Sequence, residues 1–162
     1  RSRSAAVCCP AEHSRHIVSG SESWSNWPAG QLWQMAEPLM PLTQVIPIQG
    51  ATPSQRTEVR IIRTEGALYV GVRCYDDHPD EIIAREMEED GNIEGDDRIG
   101  FFLDTFHNYR SAYFFAVNPR GSRVDALVRY RNFEKNWDTI WQARARIENG
   151  ELIMPDFAFY TA

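Results

Sequence analysis

Eleven of the 23 carboxylates in this 162-residue chain fall between Asp76 and Asp97, and Arg85 is the one cation among them. Side-chain oxygens at this density suit a hard cation such as calcium, which takes six to eight oxygen ligands. A solvated connection between two elements uses the same residues. Asp90, Asn92, Glu94, Gly95 and Asp96 match the first half of an EF-hand loop. Its twelfth position is Phe101, where a bidentate Glu is required, and a strand pattern follows, so an EF-hand is excluded. Calcium in another loop geometry is the expectation. Its ligands would be Asp76, Asp77 and Asp96, carboxylates that end one strand and precede another and so converge on one rim of a β-fold.

Other chemistries find less support. A carboxylate pair can hydrolyse glycosides, but no spacing here selects two groups at the needed separation. Cys8, Cys9, His13 and His16 lack the ligand spacing of a structural zinc site. Three cysteines cannot form a disulfide framework. No nucleophile elbow or phosphate-cradling glycine loop is present. Haem would need a His/Met pair on facing strands, and Met87 with His107 is a weak candidate. The domain is therefore read as non-catalytic. Trp137 and Trp141, four residues apart with Asp138 between them, are the second chemical signal. Flat aromatic faces beside fixed polar groups bind sugars, although two Trp can equally fill a core. Asp97, Arg98 and Asn118 are the polar partners expected near these rings.

The elements that would position these groups are strands. Thr57–Thr64 and Ala67–Tyr75 alternate around Glu65-Gly66, the pattern of a hairpin. Alternation places Val59, Ile61, Leu68, Val70 and Val72 on inward faces, with Ile99, Phe101 and Leu103 joining them from Arg98–Asp104. Pro79 is placed to open a short helix over Pro79–Met87. Ser111–Asn118 and Ser122–Tyr130 flank Asn118-Pro119-Arg120-Gly121, which fits a type I turn. Trp141–Glu148 alternates, Asn149-Gly150 turns, and Glu151–Met154 begins a last strand that Pro155 is expected to interrupt. Residues 31–55 carry four prolines and admit only a helical turn at Gln31–Glu37. Residues 1–30 show no periodicity and are read as a poorly ordered lead-in. Residues 31–162 then form one all-β domain, an antiparallel β-sandwich.

Composition bounds the partners. The chain carries 17 basic and 23 acidic side chains, a net charge of −6, with 43% hydrophobic residues. That suffices for one sizeable core and disfavours nucleic acid, whose phosphates need clustered Arg and Lys. No apolar run approaches the roughly 20 residues that span a bilayer, so direct membrane insertion is not expected. The chain opens on Arg1 rather than Met and is read as a processed or partial chain.

Several segments, in order, resemble a known family. They are Arg56–Val59, Ala67–Val72, Tyr75-Asp76-Asp77-His78-Pro79, Phe102–Phe106, Asn108-Tyr109-Arg110 and Val117–Gly121, followed by Asp125, Trp137-Asp138 and Trp141-Gln142-Ala143. Together, over about residues 32–147, they look like the family 9 carbohydrate-binding module. The version they resemble stands at the start of bacterial surface proteins that continue into a membrane-associated domain. The resemblance implies a β-sandwich, a sugar site between aromatic rings and, in some members, calcium. It implies a carbohydrate partner, a membrane-associated C-terminal domain in the parent protein, and a periplasmic, cell-surface or extracellular location. Asp97-Arg98 matches the strand where some members place a polar sugar-binding group, and Trp137 and Trp141 match an aromatic segment. Two departures stand out. The opening Ile-Asp-Gly pattern is reduced to Leu32-Trp33 and Ala36, and the closing core strand to Gly150–Pro155, so the sandwich is expected to be short at its C-terminal edge. The alternative reading is a structural adaptor sandwich without a sugar site.

Overall fold

The structure is a computed structural model. It describes residues 4–9, 36–39, 41–148 and 151–160, with the backbone alone for 4–9, 148 and 151–160. Nine strands appear among these residues: β1 (Ser4–Cys9), β2 (Thr57–Arg63), β3 (Ala67–Cys74), β4 (Arg98–Leu103), β5 (Ser111–Val117), β6 (Arg123–Arg129), β7 (Asn132–Glu134), β8 (Trp141–Glu148) and β9 (Glu151–Tyr160). They form a five-stranded sheet in the order β1-β4-β5-β6-β7 and a four-stranded sheet in the order β2-β3-β9-β8. All pairings are antiparallel except β1 with β4.

Alternating apolar residues fix which faces meet. Val59, Val70, Val72 and Trp141 from the four-stranded sheet pack with Ile99, Phe101, Phe115 and Val117 from the five-stranded one. All eight are buried, and Ile61, Cys74 and Leu103 pack partly against them. The expected core therefore holds except at Leu68, which stands beside the hairpin turn and is only half-buried. A period of two accounts for the rest. The five-stranded sheet is apolar on its outer face as well, where the Phe102, Phe114 and Phe133 rings meet. Gly100 belongs to that face: a Cβ there would lie 3.1 Å from the Phe114 ring.

Four local expectations are corrected. Within the stretch read as a lead-in, Ser4–Cys9 is a strand parallel to β4, because an edge strand supplies backbone partners to any extended neighbour. The rest of the lead-in and Gln31–Met35 lie outside the described residues, while Ala36 and Glu37 are not helical. The helix expected over Pro79–Met87 is a single 3-10 turn, Pro79–Glu81, since the chain beyond it is pulled out to bond β4's approach. Finally, β9 runs through Pro155 to Tyr160, and the sandwich is not short at this edge. Between Val70 and Val72 the partners step from Phe157 to Met154, and between Arg144 and Arg146 from Asp156 to Ile153. β9 thus carries one extra residue against both neighbours. A bulge is the place where a central strand tolerates a proline, which has no N–H for the ladder.

Candidate functional site

The expected polar site residues gather where β4 begins and β5 ends. Asp97 exchanges two bonds with Ile83: its N–H donates to the Ile83 carbonyl and its Oδ2 accepts the Ile83 N–H, at 2.8 and 2.7 Å. Arg98 donates to the Ile93 carbonyl at 2.7 Å. Asp96 Oδ1 accepts the Arg85 N–H, and its Oδ2 accepts the Glu86 N–H, both at 3.0 Å. Asn118, with no exposed surface, donates from Nδ2 to the Glu86 carbonyl and to Asp96 Oδ2, both at 2.8 Å. Its Oδ1 accepts the Arg120 and Ser122 N–H groups at 3.0 and 2.9 Å. This is a structural knot. It lashes the acidic segment 82–97 to the β5–β6 turn and leaves Asn118 no polar atom for a ligand. Burial opposes the Asp96 charge, but the Asn118 amide and the Glu86 and Arg85 N–H groups hold its carboxyl below the usual range.

Asp76, Asp77 and Asp96 do not assemble a calcium cage. Among the described residues no three His, Cys, Asp or Glu side chains are grouped as metal ligands. Both Asp96 oxygens are taken by N–H donors, Asp76 accepts the His78 N–H at 2.8 Å, and Asp77 accepts from Gln55 at 3.2 Å. This trio does not fit the ion.

The two tryptophans part company. Trp141 is core: it is 4% exposed and sits edge-on to Phe115 at 5.1 Å. Trp137 is partly exposed. One side of it stacks on Tyr113 at 4.8 Å, and its edge meets Phe115 at 6.2 Å. It also lines an open depression of about 600 Å³ with Phe133, Glu134, Lys135 and Asn136. Asp97, Arg98 and Asn118 are not within reach of it. Asn118 lies five residues along β5 from Tyr113, roughly 16 Å at strand rise.

Residues 135–140 hang from β6 by Asp125, whose Oδ2 accepts the Thr139 N–H at 3.0 Å. Asp125 is 3% exposed on the inward face of β6. Burial pushes its carboxyl up to about 6; the Thr139 N–H opposes this, and the charges of Asp90 and Asp138 add to it. Arg123, two residues earlier, donates to the Trp141 carbonyl at 2.7 Å and pairs with Glu89. Sequence reasoning missed Asp125, Lys135 and Asn136 as members of this region. For Asp125 the signal was present: alternation puts a carboxylate in line with inward Leu127. Lys135 and Asn136 carry no comparable pattern.

No family model matches the chain, and no curated protein does. Among solved structures, a family 9 carbohydrate-binding module from Caldicellulosiruptor kristjanssonii, in complex with glucose, matches with a TM-score of 0.58 and 13% identity. The match covers 91% of this chain and 70% of that one. The likeness defines the class of fold. The chain is an all-β, carbohydrate-binding-module-like sandwich, the fold its sequence segments resemble.

Proposed function

We propose that this domain is a non-catalytic carbohydrate-binding module whose site is the Trp137 depression. The observation that carries this reading is a partly exposed Trp137, stiffened by Tyr113 and set beside Glu134, Lys135 and Asn136. Sugar C–H faces stack on such a ring, and the amide, carboxylate and ammonium orient the hydroxyls. The fold shared with a module solved in complex with glucose supports the same reading. Of the expected binding residues, Trp137 is retained at the site. Trp141 belongs to the core, and Asp97, Arg98 and Asn118 belong to the knot, away from this site. A module of this kind belongs to an exported protein, in the periplasm, at the cell surface or outside the cell. The parent's membrane-associated domain is part of the same proposal.

The test is titration with neutral and acidic soluble oligosaccharides, followed by Trp fluorescence. Trp137→Ala should weaken binding roughly 30-fold or more, as expected for an aromatic anchor worth about 2 kcal/mol. If Trp137→Ala binds normally, the site is elsewhere. A folded chain that binds no sugar is the adaptor sandwich instead.

A further inference from the structure

The depression is bounded by Phe133–Trp137, at and just beyond the end of β7. β7 links it to the β6–β7 turn at Tyr130 and Arg131. The Tyr130 N–H donates to the Arg110 carbonyl at 2.9 Å, joining that turn to the β4–β5 loop, residues 104–110. The two turns make one end of the five-stranded sheet, and that end is aromatic: Phe106, Tyr109 and Tyr130 are 72%, 83% and 73% exposed. It is also cationic, against the net charge of −6. Arg110, Arg131 and Lys135 are exposed, with no side-chain hydrogen bond or ion pair among the described residues. The one acid of the β4–β5 loop, Asp104, is turned inward on its own backbone. It accepts the Tyr109 and Asn108 N–H groups at 2.7 and 3.2 Å, and these bonds, the Tyr109 N–H foremost, hold its carboxyl below the usual range.

The backbone passes through the left-handed region here. His107, Tyr109, Tyr130 and Arg131 have φ of 49°, 55°, 48° and 74°. Among the described residues Asp90 is the one other non-glycine residue in the left-handed region. Tyr130 and Arg131 take these values as the two central residues of the β6–β7 hairpin, whose tight turn fixes where the two side chains leave the sheet.

Resting on the reading of the Trp137 depression as a sugar site, we infer that this end extends that site into a subsite for acidic sugars. The Arg110 and Arg131 guanidinium groups take uronate carboxylates, and the Tyr109 and Tyr130 rings take the sugar faces. A guanidinium fork matches a carboxylate in both shape and charge. Cations that have no ion pair among the described residues, on an acidic protein, give a reason to prefer an acidic glycan to a neutral one.

The probes are oligogalacturonates and glucuronoxylan oligosaccharides, each as the free acid and as its methyl ester, which keeps the sugar and removes the charge. At low ionic strength the acid should bind roughly tenfold tighter than its ester, and the preference should vanish near about 1 M salt, where the Debye length is about 3 Å. Arg110→Gln with Arg131→Gln should abolish the preference, leaving the melting temperature and the ester's affinity unchanged. Equal affinity for acid and ester in the parent chain overturns the subsite while leaving the Trp137 site standing. A double variant that keeps the preference overturns it too. Binding to phosphatidylglycerol vesicles but to no acidic glycan overturns it in favour of a lipid surface. If no sugar of either charge binds, the underlying reading fails and takes this inference with it.

Discussion

Replacing Asn118 with Ala tests whether the polar residues at the head of β4 scaffold the fold or bind a ligand. The side chain makes four hydrogen bonds and has no exposed surface. After truncation the exposed turn at Arg120 recovers water. The Ser122 N–H does not, because Ser122 is 2% exposed. The Glu86 carbonyl is only part-buried, and Asp96 loses one of three donors. Two groups left short of a partner, at about 1–3 kcal/mol each, put the loss near 4 kcal/mol. For a chain of this size each kcal/mol moves the melting temperature by about 2–4 °C, so the midpoint should fall by roughly 8–16 °C. Asn118→Asp should be at least as damaging at neutral pH, because it replaces the donor facing Asp96 and the Glu86 carbonyl with a second acceptor. Its deficit should shrink as pH falls and the introduced carboxyl takes up a proton it can donate. Denaturant titration of both variants with a two-state fit gives the numbers. A loss under about 1 kcal/mol for Asn118→Ala is the signature of a surface side chain and would refute the knot.

Trp141→Ala should cost about 3–5 kcal/mol by opening a core cavity, and a near-parental melt would show that the ring is not core. Val70→Asp, which sets a charge among Val59, Phe101 and Phe115, should prevent folding at ordinary temperature, as read by circular dichroism. Asp125 has a carboxyl raised in the folded state, so its contribution is full below the unfolded value of about 4 and is lost as pH rises through about 6. Asp125→Asn should therefore stabilise the chain at pH 7–8 and gain little near pH 4; an equal effect at both would refute the assignment. Chelation should leave the melting temperature unchanged, because the oxygens of Asp96 already hold N–H groups, and a drop of several degrees would locate a calcium site elsewhere.

What was legible in the sequence is what alternation records. β2, β3, β4, β5, β6 and β8 were readable within a residue or so, because β-rich apolar runs, several with a period of two, end at recognisable turn residues. β1 was not readable: Ser4–Cys9 has no alternation, and a parallel edge pairing leaves no mark in a local pattern. β9 was misjudged because a proline inside a strand argues against it, and a bulge that excuses the proline is set by neighbours distant in sequence. The helix after Pro79 failed for a related reason. Pro79 does open a helical turn, but the Asp96 and Asp97 carboxylates take the Ile83, Arg85 and Glu86 N–H groups and hold the segment beyond it extended.

The site was less legible than the fold, and the cause is chemical. Asp, Asn and Arg are the residues that hold sugars, and they are also the residues that satisfy buried backbone. Type and order cannot separate these uses; only a count of filled donor and acceptor sites can. That count assigns Asp96, Asp97 and Asn118 to the scaffold, although they sit in segments that resemble a sugar-binding family. For aromatic residues the matching count is of covered faces. Trp137 and Trp141 are indistinguishable in sequence, yet Trp141 is buried in the core, whereas Trp137 rests on Tyr113 and borders open space. On the proposed reading, recognition falls to the groups the scaffold leaves unspent: Trp137 and, beyond it, the cations at the end of the sheet that have no ion pair among the described residues.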